Sequence, residues 1–260
     1  MDAETIQSFL NELCDLAQRE TLSRFRADVE ITNKLASGFD PVTEADREAE
    51  SVIRAAILKR YPDHGIVGEE FGTVNENARY KWIIDPVDGT KAFISGLPLW
   101  GTLIGLYLEN KPLAGVMHQP FIEERFICNG DKSVWQHKGT EKVLSTSETQ
   151  NLNDAIIMTT TPALFTAEER LIYDRLESQC RLPRYGADCY AYCVLAAGHV
   201  DLVVESGLNS YDIAALVPIV EKAGGCFTDW QGKSAADGGQ VIAAANPELH
   251  MKALEVLNSG

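Results

Sequence analysis

Apolar residues recur with helical spacing at the start of the chain, through Ile6, Phe9, Leu10, Leu13, Leu16 and Ala17. The same period returns between Glu44 and Tyr61, through Ala45, Ala49, Val52, Ile53, Ala56 and Ile57. A helical repeat puts each set on one face, so both stretches are predicted helices. Thr43 stands where it can cap the second, with Glu44 and Asp46 in the first turn, where the helix dipole favours negative charge. Shorter apolar runs at Gly65 to Gly68, Lys81 to Ile84, Gly101 to Leu108, Leu113 to His118 and Glu124 to Cys128 read as strands, with turn signals such as Glu109-Asn110-Lys111-Pro112 between several of them.

The stretch Glu141 to Asn153 turns polar and reads as a connection. Beyond it the pattern predicts strands at Ala155 to Thr159 and Val200 to Glu205. Helices are predicted at Thr166 to Ser178, Asp188 to Ala197, Asp212 to Ala223 and Pro247 to Leu257. This is a mixed α/β chain of layered elements, in two closely joined halves at residues 1–147 and 148–260.

Hydrophobic residues at 45% and charged residues at 23% of 260 positions describe an ordinary globular chain with a sizeable core. No apolar run reaches the roughly 18 residues of a membrane helix, and the acidic, amphipathic start is unlike a signal peptide, so a cytoplasmic location is expected. The six cysteines form no CxxC pair and lack the partners of a zinc site. A net charge of −15 repels polyanions, and no basic stripe offsets it, which argues against nucleic acid as a partner.

Acidic residues recur where strands end or helices begin: Asp40 and Asp46 in FDPVTEAD, Glu69 and Glu70 in GIVGEEFG, Asp85 and Asp88 in IIDPVDGT, and Asp212 in NSYDIAAL. Carboxylates gathered in a cleft repel one another, so a cation is expected among them if they meet. Mg²⁺, which takes oxygen ligands and shares them with phosphate, fits best. Taken alone, Asp40, Asp46 and Glu70 are better read as caps or solvated acids. Asp85 and Asp88 are not, because a surface turn has little use for two acids and a threonine behind a buried strand. Pro86 stiffens the turn between them, and the Val87 carbonyl is a further oxygen. Gly89 and Thr90 open a predicted helix start whose free amides suit a phosphate. The spacing of the two aspartates is wrong for a haloacid-dehalogenase nucleophile, and neither a GxxxxGK[ST] loop nor a GxSxG elbow is present.

Taken in order, DPVTEAD (Asp40 to Asp46), GEE (Gly68 to Glu70), WIIDPVDGT (Trp82 to Thr90), YDIAA (Tyr211 to Ala215), and Gly224, Gly225, Thr228 and Asp229 resemble the inositol monophosphatase superfamily of metal-dependent phosphatases over most of the chain. The resemblance implies an αβαβα sandwich. It implies that Glu69, Asp85 and the Val87 carbonyl hold a first Mg²⁺, that Asp85, Asp88 and Asp212 hold a second, and that a third, weaker ion visits Glu69. By the same resemblance Asp46 and Thr90 form a dyad that, with Glu69, orients the attacking water, while Gly89 and Thr90 grip the phosphate. Family members are commonly homodimers, and their substrates are small phosphorylated molecules.

Within the family, DGTKAFISGLPLWGTLIGL (Asp88 to Leu106) and the run Tyr185 to Gly225 are most similar to the histidinol-phosphate phosphatase branch. Lys91-Ala92, Asp188 to Tyr192 and Tyr211 depart from inositol-specific members, which carry Thr-Asn, small residues and Trp there. Histidinol phosphate bears an ammonium and an imidazole. Glu205, seven residues before Asp212, matches a substrate-contact position, and Asp188 can supply a second carboxylate, although it also stands at a helix start where a cap is expected. Tyr190 is a candidate neighbour for the imidazole, with ordinary packing the plainer reading for both Tyr190 and Tyr192. The implied activity is hydrolysis of L-histidinol phosphate, late in histidine biosynthesis. The alternatives are a phosphatase for inositol 1-phosphate or related sugar phosphates and, in another class, a non-catalytic phosphate or metal sensor.

Overall fold

A computed structural model describes residues 1–27, 31–33 and 41–259, with Asp40 outside them. Helix α1 (Ala3–Leu22) leads to a short antiparallel pair, β1 (Ile31–Asn33) and β2 (Pro41–Thr43), and then to α2 (Glu44–Arg60). The main sheet follows, built from β3 (Gly65–Gly68), β4 (Gly72–Val74), β5 (Tyr80–Asp88), β6 (Gly101–Leu108), β7 (Lys111–Gln119), β8 (Glu124–Cys128), β9 (Ser133–His137) and β10 (Thr140–Val143), with the short helix α3 (Thr90–Ile94) after β5. Its order is β10-β9-β8-β7-β6-β5-β3-β4, and only the β3 to β5 pairing is parallel.

The second sheet takes β11 (Ile156–Thr159), β12 (Leu182–Tyr185), β13 (Leu202–Leu208), β14 (Cys226–Asp229) and β15 (Gly239–Ala244) in the order β12-β11-β13-β15-β14. Around it lie α4 (Ala167–Glu177), α5 (Cys189–Ala196), α6 (Ser210–Ile213), α7 (Leu216–Lys222) and α8 (Pro247–Asn258).

Side-chain alternation sorts these elements into layers. Ile104, Leu106 and Val116 point to one face of the main sheet, where they pack with Phe9, Leu10, Leu13, Ile53 and Ile57 of α1 and α2. Leu103 and Met117 point to the other, onto Cys193, Leu195, Ile219 and Val220 of α5 and α7. Val203 and Ala243 of the second sheet close that same core, while Leu202, Val204 and Ile242 face Tyr173, Leu176, Leu249 and Ala253 of α4 and α8. The stack is therefore αβαβα, the expected class.

Three sequence expectations change. The predicted helix Asp212 to Ala223 is two helices, because Pro218 has no N–H to give the Ala214 carbonyl one turn back. The polar stretch beginning at Glu141 starts inside edge strand β10, whose four residues are all exposed and so carry no apolar signature. The strand at Lys81 to Ile84 does not leave the sheet at Asp85 but continues to Asp88.

Candidate active site

That continuation explains how Asp85 and Asp88 meet. Residues three apart on a regular strand point to opposite faces. Here Asp85 pairs with Leu103 but Asp88 with Gly101, so β5 uses one more residue than β6 over this span. The bulge at Pro86 and Val87 resets the alternation and turns both carboxylates to one side. It is held by the Val87 amide donating to Asp85 Oδ1 at 3.0 Å and by the Thr102 hydroxyl donating to the Pro86 carbonyl at 2.8 Å.

Asp212 arrives from the first turn of α6, where its Oδ2 accepts from the Asn209 amide at 2.6 Å. The ligand atoms of Asp85, Asp88 and Asp212 all lie within 4.8 Å of one another. Glu69, at the β3–β4 turn, lines the same cavity and hydrogen-bonds to the Asp85 carboxyl. Burial, then the charges of Glu69, Asp88 and Asp212, push Asp85 well above the ordinary carboxylate range. Burial and the Asp188 and Asp212 charges do the same to Asp88 against two opposing bonds, from the Cys189 thiol and from its amide at 2.8 Å. Asp212 is pushed up to about 7, chiefly by burial.

Three crowded carboxylates form an all-oxygen donor set that a hard divalent cation satisfies and a softer metal does not. Mg²⁺ fits these residues. Asp46 and Asp188, each raised to about 6, and Asp212, raised to about 7, favour the protonated fold over an unfolded chain whose aspartates titrate near ~3.9. Their stabilising contribution is complete at low pH and is lost as pH rises through 6 to 7. In EDTA, the melting temperature is expected to fall between pH 5 and pH 8, and Mg²⁺ to raise it far more at pH 8. Melting curves that respond to neither pH nor Mg²⁺ would remove the cluster as a cation site.

Gly89 takes φ 82°, and a Cβ there would come within 3.0 Å of the Leu99 carbonyl and 3.3 Å of Asp188 Cβ, so the turn into α3 needs glycine. The Thr90 hydroxyl donates to the Val87 carbonyl at 3.1 Å. The anticipated pairing of Thr90 with Asp46 is not made. Asp46 accepts from the Thr43 amide at 2.9 Å and its hydroxyl at 2.6 Å, closing the capping box of α2. The three-residue spacing from Thr43 favours that local bond.

At another wall of the cavity lie Asp188 and Glu205. Asp188 is the N-cap residue of α5, yet its side chain makes no capping bond. The first amide of the helix, that of Cys189, donates to Asp88. Asp188 faces Thr160, Glu205 and Lys91, and its backbone sits at φ 44°, ψ −136°. Glu205 is 5% exposed and fixed by the Thr160 amide at 2.9 Å, the Thr160 hydroxyl, and the Tyr192 hydroxyl at 2.7 Å. Thr160 and Tyr192 went unrecognised in the sequence as holders of Glu205.

Tyr190 is not at this cavity. Two residues along a helix is roughly half a turn, so Tyr190 faces away, bonds Glu124 and packs edge-on against Phe126. Lys91 is exposed at the rim, and Tyr211 lines the wall. The whole cavity measures about 250 Å³.

The inositol monophosphatase family model matches residues 2–259. An Arabidopsis thaliana protein named bifunctional phosphatase IMPL2, chloroplastic, is 41% identical over 259 residues, spanning 95% of this chain and 73% of that protein. A histidinol-phosphatase of Chlorobaculum parvum is 32% identical over 250 residues, spanning 96% of this chain and 95% of that one. Among solved structures, an inositol monophosphatase from Zymomonas mobilis superposes with a TM-score of 0.86 at 39% identity, over 98% of each chain. With an acidic cluster at the strand bulge and a match from end to end, the chain belongs to the inositol monophosphatase family of phosphatases, which are Mg²⁺-dependent and act on small phosphorylated substrates.

Proposed function

We propose that this phosphatase hydrolyses L-histidinol phosphate to L-histidinol and phosphate, which would put it late in histidine biosynthesis. The observation that carries the reading is the pair of carboxylates, a buried Glu205 and a half-buried Asp188, in the same cavity as the acidic cluster. A neutral polyol has no use for two negative charges, whereas an ammonium offers each a charge-assisted hydrogen bond. Bonds from Thr160 and Tyr192 leave Glu205 a lone pair for that purpose.

Glu69, Asp85, Asp88, Asp212 and the Val87 carbonyl would hold the cation. Bound Mg²⁺ supplies Lewis acidity, lowering the pKa of a water molecule and offsetting charge on the phosphoryl and leaving oxygens. The Gly89 and Thr90 amides orient the phosphate at the start of α3. Because the Thr90 hydroxyl already donates to Val87, it meets a water as an acceptor, and Glu69 accepts the water's other proton. Asp46 contributes by fixing the start of α2 beneath them.

The test is phosphate release with Mg²⁺ from L-histidinol phosphate, inositol 1-phosphate and a panel of sugar and nucleotide phosphates at matched concentrations. A preference for histidinol phosphate of about a hundredfold, worth about 2.7 kcal/mol in transition-state binding, is expected. Equal or faster turnover of inositol 1-phosphate would retain the phosphatase and overturn the substrate.

A further inference from the structure

Glu69 stands at the tip of the β3–β4 turn, a position that ordinarily moves more than a sheet interior. One side is tied to the sheet, where the Glu69 amide donates to the Ile84 carbonyl at 3.1 Å. The other side is tied to α2. Glu50, with no solvent exposure, accepts from the Glu70 amide through Oε2 at 2.8 Å and from the Phe71 amide through Oε1 at 3.2 Å. Arg54, one helical turn on, donates to Glu50 Oε1 at 3.1 Å and to the Gly72 carbonyl at 2.9 Å.

The clamp leaves no spare room. A Cβ added to Gly68 would lie 1.9 Å from Glu50 Oε1. Glu50 is therefore a buried acid whose acceptors are spent on the backbone on the far side of Glu69, with Arg54 of the same helix as its counter-charge. A hydrophobic residue would suit the apolar interior as well and would leave two amides without partners.

From this geometry we infer that Glu50 is a positioning residue: it sets the Glu69 carboxylate toward Asp85 and so completes the cation site from the second turn of α2. The inference rests on the acidic cluster being a Mg²⁺ site. Glu50→Gln keeps the volume but replaces one acceptor by an NH₂ group facing an amide, so either the Glu70 or the Phe71 amide loses its partner.

Calorimetric titration of the metal-stripped protein with Mg²⁺, without substrate, reads the effect apart from turnover. Glu50→Gln is expected to weaken Mg²⁺ binding by about tenfold, in line with the loss when a group that orients a metal ligand is changed. Arg54→Met, which loosens the clamp from behind, is expected to weaken it less. In kinetics, the Mg²⁺ requirement should rise while kcat at saturating Mg²⁺ stays near wild type. Ile53→Val, in the core of the same helix, is the stability control: it lowers the melting temperature without moving Mg²⁺ affinity. Wild-type Mg²⁺ affinity in Glu50→Gln, or an equal loss in Ile53→Val, overturns the assignment. Asp85→Asn separates the two readings, because unchanged Mg²⁺ affinity in that variant would mean that the cluster itself is misread.

Discussion

Asp85→Asn is expected to lower kcat/KM by roughly a thousandfold or more, since a cation's charge stabilisation is worth several kcal/mol in the transition state. The loss should come without unfolding. Asparagine keeps the oxygen that accepts from the Val87 amide, so the bulge that turns Asp88 beside it can persist. It also removes one negative charge from a crowded group of four in which Glu69, Asp88 and Asp212 each disfavour the ionised Asp85. Metal-stripped Asp85→Asn should therefore melt above metal-stripped wild type at pH 8, and Mg²⁺ should no longer raise its melting temperature. The opposite signs of these two effects distinguish a ligand from a structural acid. A variant that melts lower and keeps its activity would show that Asp85 supports the strand and not the cation.

The same residues show how far the sequence could be read. The helical period placed α1 and α2, and Thr43 with its acidic first turn marked the start of α2, because these signals are local and repeat several times. The acidic cluster was legible as separate motifs, each at the edge of an element. Their convergence was legible only through the family resemblance and not from the local pattern, because it depends on a bulge that appears only in the pairing of β5 with β6. Edge strand β10 was missed for a related reason: a strand whose four residues are all exposed needs no apolar alternation. Thr160, Tyr192 and Glu205 sit on different elements, and no spacing along the chain shows that two hydroxyls and an amide close on one carboxylate. Local rules also misled. Asp188 has the sequence of a cap, yet its side chain makes no capping bond, and the first amide of α5 donates to Asp88, one hundred and one residues away.

That exchange sets up the second large effect, at Asp188. A non-glycine residue at φ 44°, ψ −136° is strained, at a cost on the order of 1–3 kcal/mol. Asp188 carries the strain while half-buried beside the like charge of Glu205, with burial and that charge raising its pKa to about 6. Stability alone would select glycine there. Asp188→Gly is accordingly expected to melt at or above wild type, through relief of both strain and repulsion. It should also lose about 10- to 100-fold in kcat/KM on L-histidinol phosphate, the range of one charge-assisted hydrogen bond. Asp188→Asn should show the same loss, since the amide keeps the shape and not the charge. Inositol 1-phosphate, which has no amine, should be hydrolysed by both variants within a few-fold of the wild-type rate. The informative comparison is the analogue of histidinol phosphate that lacks the amine. If Asp188 meets the ammonium, removing the carboxylate, the amine or both should cost the same, because either deletion already breaks the one interaction. Losses that add would mean that Asp188 and the amine act separately, and that the ammonium is held elsewhere, with Glu205 the remaining enclosed carboxylate on that wall.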